Sequence, residues 1–515
     1  MQQQNLQPVA LQERIQTIDI IRGFTLFGIL IVNLTVDNPG VSPMTGRTGF
    51  FDQLVYWPID FLLNDKFMAI FCFLFGLGFA IQMLRAREKN SNFIFVYMRR
   101  LIVLFLFGVV CRIFIGGREV ITEYAMVGVL LLFLYRLPLK ILPVLAFLCV
   151  VGIWGRDSVI LSREMPSTNK KVTVDTSILN NYVGVYQLTP KIRQIFIIKR
   201  NKLVGEGQAR EYGLVALSDS EFRVADGKTK ITFVKDSTRE VKKYVAQNPN
   251  GEWKKIKTDL QQALKEQIEK RRNRRFNPDT LTYRQFVNQN AGKFRNWIKY
   301  WSLKDFLLGF DISYVLPIFL LGLYAGRRKI FQEITSNRLL LKNIMKWGLL
   351  IGMTSIGITE VYLVLNFIND NPNEAFYRSL PWYRLCWDLG VILMALGIVA
   401  GLTLLLEKQL WKKRLSFFIP VGRMGLTNYI LLLAICDLSI LGDYGLSLAG
   451  KIGPFIRLMI ALPVFIFIVL ISHWWFKRFR IGPAEWLWRS LTYLKFQPMR
   501  ILQPGKKENT DSGNL

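Results

Sequence analysis

The stretch RIQTIDIIRGFTLFGILIVN, residues 14–33, decides the fold class. It is apolar for most of its length and reads as a membrane-entering helix, yet Asp19 and Arg22 sit at its mouth and Asn33 near its far end. Charged groups are costly in hydrocarbon, so they cluster where they find partners or line a polar path. At ~100° per residue, Asp19, Arg22 and Asn33 share about 60° of one helix face. Two readings follow. Asp19 and Arg22 cap the helix near the head groups while Asn33 bonds a neighbour, or the three line a polar groove through a bundle.

The rest of the chain supports the membrane reading. Its 515 residues are 51% hydrophobic and 13% aromatic, with a mean hydropathy of +0.25. Apolar runs of roughly 18 residues or more are long enough to cross a bilayer. Ten spans are expected, near 18–36, 66–84, 98–115, 119–135, 138–155, 303–326, 343–367, 384–406, 416–440 and 453–476. The formal charge of +30 suits membrane-flanking loops and anionic lipid, so nucleic acid is not the expected partner. The lipid bilayer is.

Alternate loops carry the positive charge: Arg85, Arg87, Lys89, Arg99 and Arg100, then Arg136 and Lys140, Arg327 to Lys329, Lys408 to Arg414, and Lys477 to Arg480. Those loops are expected in the cytoplasm, with both termini. The polar start MQQQNLQPVALQE has no basic n-region leading to a cleavage site, so the first span is expected to act as an uncleaved anchor.

Residues 156–302 then fall outside the cell. Within them, short β-type runs such as YVGVYQL, QIFIIKR and KITFVKD alternate with turns at Asp226-Gly227 and Asn248 to Gly251. About seven strands are expected, in a small antiparallel barrel or sandwich. A basic helical stretch follows, with Leu260, Leu264 and Ile268 as an apolar stripe and KRRNRR at 270–275. It suits a helix lying on a membrane; residues 257–275 also offer charge to anionic lipid or an envelope polymer. The expected organisation is an all-α polytopic membrane protein with a small antiparallel β insert. A first membrane half of five helices covers 1–155, an extracytoplasmic β domain 165–260, a basic amphipathic linker 261–302, a second half of five helices 303–495, and a disordered tail 496–515.

Several residues are candidates for chemistry. Arg112, Arg118, Glu119 and Glu123 cluster between the third and fourth spans. They form either exposed ion pairs of little energetic weight or an outer cavity in which Glu119 or Glu123 is a general base. Glu360 lies inside the seventh span without a local cation, which makes it the proton-coupling candidate, whereas Asp388 has Arg384 at i,i+4 spacing. The single histidine, His473, lies beside Trp474 and Trp475 in an interface belt. One histidine cannot form a multi-histidine metal centre, and the five cysteines lack metal or disulfide spacing, so no metal site is expected. No Walker, GxSxG or HExxH motif occurs, and no cofactor is evident.

Three stretches together resemble the YeiB-like membrane family, whose function is unknown: IDIIRGFTLFGILIVN (18–33), VGRMGLTNYIL (421–431) and GPAEWLWRSLTY (482–493). KFMAIFCFLFGLGF (66–79) and FLLGLYAGRRKIF (319–331) are similar as well. More distantly, the pattern resembles transmembrane acyltransferases, which pass an acyl group from a cytoplasmic donor such as acyl-CoA to an outer acceptor. That resemblance implies an outer membrane histidine, which this chain lacks; the YeiB-like resemblance implies a histidine at the end of the third helix and Gly-Asp before the fourth, where this chain reads Cys111 and Arg118-Glu119. The β segment resembles the small domain appended to some β-lactamase-like serine hydrolases, without their catalytic domain.

Two functions follow as expectations. One is acyltransferase-like modification of an envelope glycan or lipid, with Arg22 and Arg423 holding an anionic donor, Asp19, Asn33 and Asn428 joining them in substrate binding, and Glu119 or Glu123 as base. The other is a small-solute transporter using Glu360 and the polar face of the first span.

Overall fold

The computed structural model describes residues 15–36, 49–89, 93–116, 119–164, 176–189, 192–199, 202–207, 211–224, 229–237, 240–247, 251–267, 282–300, 314–368, 380–440, 445–446, 448 and 452–501. In chain order the helices are α1 (Gln16–Thr35), α2 (Phe50–Leu62), α3 (Lys66–Glu88), α4 (Phe93–Phe114), α5 (Ile121–Leu134), α6 (Ile141–Glu164) and α7 (Thr176–Asn180). Eight strands follow: β1 (Gly184–Thr189), β2 (Ile192–Lys199), β3 (Lys202–Glu206), β4 (Glu211–Ala216), β5 (Glu221–Val224), β6 (Lys230–Lys235), β7 (Val241–Gln247) and β8 (Gly251–Ile256). Residues 260–267 form α8. The remaining helices are α9 (Tyr283–Tyr300), α10 (Leu316–Arg327), α11 (Arg338–Ile368), α12 (Pro381–Leu406), α13 (Gln409–Arg414), α14 (Phe418–Arg423), α15 (Gly425–Leu433), α16 (Pro454–Phe476) and α17 (Pro483–Tyr493). The chain divides into two compact units, one of residues 1–149, 281–352 and 391–515, the other of 150–280 and 353–390.

Six helical runs among the described residues are long and apolar enough to cross a membrane: α1, the α2–α3 run, α4, most of α11 and of α12, and α16. Gln409–Arg423 and Gly425–Leu438, which meet at 76°, pass the same test only when taken together, as a broken span or a re-entrant loop. The expected spans near 119–135, 138–155 and 303–326 correspond to shorter apolar helices, Ile121–Leu134, Ile141–Gly152 and Leu316–Arg327. The first half of the last of these spans lies outside the described residues. Exposed side chains on the long helices are large and apolar, among them Phe95, Ile102 and Leu106 on α4 and Ile466, Phe467 and Leu470 on α16. An exposed apolar face of that size suits lipid rather than water.

In the first unit, α1 and α14 touch backbone to backbone. A Cβ at Gly422 would collide with the Asp19 carbonyl oxygen, and one at Gly23 with the Phe418 carbonyl. Only glycine permits that approach. Helix α2, not anticipated from the sequence, turns into α3 through Asp65, whose φ is +60°. The corner is closed by polar bonds: Lys66 Nζ donates to the Asp60 carbonyl at 3.1 Å, Asn64 Nδ2 to the Asp60 carboxylate at 2.7 Å, and Tyr314 Oη to the Asp65 carbonyl at 3.0 Å. These contacts let Asp60 and Lys66 be buried at 2% and 0% exposure.

In the second unit, β1 to β8 form a closed antiparallel barrel in sequence order, β8 pairing back to β1. The strand count is eight where about seven were expected, and of the two expected architectures it is the barrel. Closure removes both sheet edges. Alternate residues point inward: Tyr186, Phe196, Phe222, Phe233 and Tyr244 fill the interior with Tyr182, at ring-centroid distances of 4.5–5.8 Å. The interior is therefore a packed aromatic core. Leu260 and Leu264 of α8, expected to face a membrane, pack with Ala263 against Val185, Ile195, Ile197 and Val204 on the outside of the barrel wall. Ile268 and the basic run 270–275 lie outside the described residues. Of the stretch 496–515, the residues described include Arg500, which bridges antiparallel to Phe479.

Candidate functional site

Two cavities lie in the first unit, toward opposite ends of the same helices. Asn33, near the end of α1, lines the first, and Arg22, near its start, lines the second. Eleven residues separate them, about 16 Å along the axis at ~1.5 Å per residue. Helix α4 repeats the arrangement, with Arg112 at the first cavity and Arg100 at the second.

The first cavity, about 630 Å³, is walled by the starts of α3 and α5, the end of α4 and the face of α9 that carries Asn290, Lys293 and Trp297. Its fixed point is Glu119, whose side chain is fully buried. The Arg112 guanidinium lies 2.8 Å from Glu119 Oε1. Thr122 donates twice, its hydroxyl to Oε1 at 2.6 Å and its amide to Oε2 at 3.0 Å. The amide bond caps the start of α5, where helix amides lack intrahelical partners. A Cβ at Gly108 of α4 would land on Thr122 and crowd Glu119, so the glycine makes room for this cap. Arg112 also lies over the Trp297 ring, 5.4 Å from its centroid, and Tyr283 and Asn290 donate to the Phe114 and Ile113 carbonyls. These bonds seat α9 on α4.

Both Glu119 oxygens are thus engaged, by an arginine and by a helix cap. Glu123, one turn on in α5, is half-buried and lines the same cavity. Glu119 and Glu123 are the two glutamates that line this cavity.

The second cavity, about 200 Å³, is lined by Arg22, Arg100, Arg423 and Arg489, with Gln82, Glu485 and Trp488 among its other walls. Arg100 donates to Gln82 Oε1 at 2.6 Å and lies 4.0 Å over the Trp488 ring. Trp488 Nε1 in turn donates to the Arg100 carbonyl at 3.0 Å. Arg423 lies 4.0 Å over Phe476 and donates to the Arg480 carbonyl at 3.3 Å.

The two cavities meet at aromatic side chains. Tyr124 and Tyr429 line both. Phe71, which lines the second, stacks on each of them at centroid distances of 6.0 and 6.1 Å. Tyr124 Oη accepts from Cys72 Sγ at 3.0 Å, and Tyr429 Oη accepts from the Val120 amide at 3.3 Å. The second bond ties this partition to the residue beside Glu119.

The other sequence candidates stand apart from the cavities. Asp19 is buried against α14 and pairs with Arg22 at 3.5 Å. Asn428 is buried and donates to the Val421 carbonyl and the Ser472 hydroxyl, both at 3.0 Å, so it ties α15 to α14 and α16. Neither lines either of these two cavities. Glu360 is half-buried in α11 and lines neither cavity. Arg384 and Asp388 form the local pair their spacing implies, at 3.8 Å. His473 Nδ1 lies 2.9 Å from the Val469 carbonyl within its own helix. Among the described residues no three His, Cys, Asp or Glu side chains converge as a metal ion would require.

Two of the stretches that carry the family resemblance lock onto each other. Glu485 accepts from the Leu426 and Thr427 amides at 2.6 and 3.1 Å and from the Thr427 hydroxyl at 2.6 Å. That hydroxyl accepts from the Ala484 amide at 3.0 Å. Each helix, α15 and α17, is capped by a side chain of the other.

Both capped helices fall within residues 325–495, which match the family described as "Protein of unknown function (DUF418)". Residues 325–495 belong to the DUF418 family. Across the whole chain, the uncharacterised protein YxaH of Bacillus subtilis (strain 168) is 28% identical over 506 residues, covering 96% of this chain and 98% of that protein. The uncharacterised protein YeiB of Escherichia coli (strain K12) is 36% identical over 130 residues, 24% of this chain and 33% of that protein. An uncharacterised 39.9 kDa protein of Bacillus acidopullulyticus is 38% identical over 136 residues, 26% of this chain and 37% of that protein. No solved structure matches the chain. The DUF418 segment contributes Arg423, Tyr429, Glu485, Trp488 and Arg489 to the second cavity, while Arg22, Gln82 and Arg100 come from the first three long helices of the chain.

Sequence reasoning missed Arg100, because the pair Arg99-Arg100 reads as loop charge, and missed Glu485, Trp488 and Arg489 of the 482–493 stretch. It also missed the inner face of α9. The signal there was available: Phe286, Asn290, Lys293 and Trp297 recur at helical spacing, as one face requires.

Proposed function

We propose that this protein is an acyltransferase-like membrane protein that passes a group from an anionic donor in the arginine cavity to an acceptor in the Glu119–Glu123 cavity. The observation that carries the reading is the shared wall. Tyr124 and Tyr429 belong to both cavities, so a group held in one has only an aromatic partition between it and the other. In this account the bundle crosses the cell membrane ten times with both termini in the cytoplasm. The loop charges support that orientation, which puts the arginine cavity inside and the Glu123 cavity and the barrel outside.

The chemistry is that of acyl transfer from a thioester. A donor such as acyl-CoA is held through its phosphates by Arg22 and Arg423, with the acyl carbonyl at the partition. An acceptor hydroxyl attacks that carbonyl, forming the new C–O bond as the C–S bond breaks. Glu123 takes the hydroxyl proton, and the leaving thiolate regains one. Lys293, Asn33, Asn290 and Trp297 give the outer cavity the polar groups and aromatic face that orient a glycan or a lipid head group. The basic segment 257–275 offers anionic lipid or envelope polymer a further contact. The test is incorporation of label from acyl-CoA, supplied at the cytoplasmic face of inverted vesicles, into an envelope glycan or lipid. Wild-type protein gives label that Glu123→Gln loses, and wild-type label no higher than in vesicles lacking the protein overturns the reading.

A transport reading draws on the same pair of cavities, since two openings toward opposite ends of one bundle also describe a solute path. It uses Glu360 for proton coupling. Proteoliposome uptake that Glu360→Gln abolishes supports it, and flux equal to empty vesicles rejects it.

A further inference from the structure

The second cavity is lined by more cationic side chains than anionic ones. Four guanidinium groups, on Arg22, Arg100, Arg423 and Arg489, line it against one carboxylate, Glu485. Both Glu485 oxygens accept hydrogen bonds from the start of α15. Asp19 pairs with Arg22 from outside the cavity, at 3.5 Å. Arg100 and Arg423 are oriented by an amide oxygen, a carbonyl and aromatic faces. Such contacts orient the guanidinium planes. Four guanidinium groups brought together around a small cavity suit an anion of more than one charge, which can engage several of them at once.

We infer that this cavity binds a multivalent phosphate group, with Arg22, Arg100, Arg423 and Arg489 as its ligands. Guanidinium forks match phosphate oxygens in pairs, which singles out phosphate over a lone carboxylate. At about 200 Å³ the cavity holds the phosphate-bearing part of a ligand rather than a whole nucleotide-sized molecule. Diphosphate satisfies four arginines in that space. Two sources share this chemistry, a soluble diphosphate ester and a lipid with a diphosphate head group. The inference does not depend on group transfer. It holds for a transporter as well, so its failure and the failure of the transfer reading are separate results.

The experiment uses the full chain in nanodiscs of zwitterionic lipid, titrated with inorganic pyrophosphate by calorimetry. Saturable binding is expected, weakened about tenfold or more in Arg489→Gln and in Arg22→Gln. Arg100→Lys, which keeps the charge and loses the fork, is expected to bind more weakly than wild type and more tightly than Arg100→Gln. Competition by ADP identifies a soluble source. Phosphate that co-purifies with wild-type protein, is seen by ³¹P NMR and is displaced by pyrophosphate, identifies a lipid source. Folded wild-type protein with neither saturable pyrophosphate binding nor co-purified phosphate overturns the inference. So do Arg22→Gln and Arg489→Gln variants that bind pyrophosphate as tightly as wild type.

Discussion

The Glu485 carboxylate accepts a hydrogen bond from the Leu426 amide at 2.6 Å and another from the Thr427 amide at 3.1 Å. This contact holds together a sharp break between two helices. At Met424 the helix pair bends by 76°, and the amides that begin α15 lose the acceptors a continuous helix would give them. Glu485, arriving from α17, replaces those acceptors. Glu485→Ala leaves buried amide donors without partners, so a loss of about 2–3 kcal/mol is expected. Glu485→Gln keeps an acceptor oxygen and should cost less. Thermal unfolding in detergent ranks wild type above Glu485→Gln above Glu485→Ala; equal melting of all three would remove the latch from the account.

The glycine contact between α1 and α14 makes a second prediction. A methyl group at Gly422 meets the Asp19 carbonyl, and the two backbones must separate to admit it. Gly422→Ala should destabilise the protein by about 1–3 kcal/mol, as overpacking does. Arg22 stands one turn along α1 from Asp19, so the same substitution should weaken pyrophosphate binding. Gly49→Ala is the control, since no neighbour lies near its added methyl.

Glu119 and Glu123 should separate by their failures. Glu119→Gln weakens the ion pair with Arg112 and loosens the α5 cap, which lowers stability and activity together. Glu123→Gln should abolish transfer while lowering the melting temperature less than Glu119→Gln does. A Glu123→Gln protein with full transfer would return the role of base to Glu119.

The barrel offers a pH test. Tyr186 is buried among aromatic rings, and burial, with Tyr182 close by, raises its phenol above the ordinary value. The unfolded chain therefore deprotonates first. The stabilisation is complete below the ordinary phenol pKa of ~10 and is lost as pH rises through the folded value. Barrel circular dichroism should persist to pH 10 and collapse above it together with tyrosinate absorbance at Tyr186. Tyr186→Phe should move that collapse to higher pH. An unchanged profile in Tyr186→Phe would show that another group controls it.

The helices that carry the fold were legible because apolar runs declare themselves. So was the insert, from its two-residue alternation and turn residues. Helix α2 was hidden because its apolar face is shared with Asp52, Asp60 and a proline, and because it runs on into α3 through a left-handed Asp65. The site was half legible. Arg22, Asn33, Arg423, Glu119 and Glu123 were singled out as polar or charged groups in or beside apolar runs, and each lines a cavity. Asp19 and Asn428 were singled out for the same reason, yet their partners are Arg22 and backbone or hydroxyl groups of neighbouring helices. Position along one helix cannot tell a groove from an interface, because that depends on what packs opposite. Arg100, Arg489 and Lys293 come together with the others only in three dimensions.

The central claim is that the arginine cavity and the Glu123 cavity serve one transfer across the membrane. Its most direct test is the acyl content of envelope glycans and lipids in cells lacking the protein, in cells given back the wild type, and in cells given Glu123→Gln. The account predicts an acyl group that is missing without the protein, restored by wild type and still missing with Glu123→Gln. An envelope acyl profile that is the same in all three strains would contradict it.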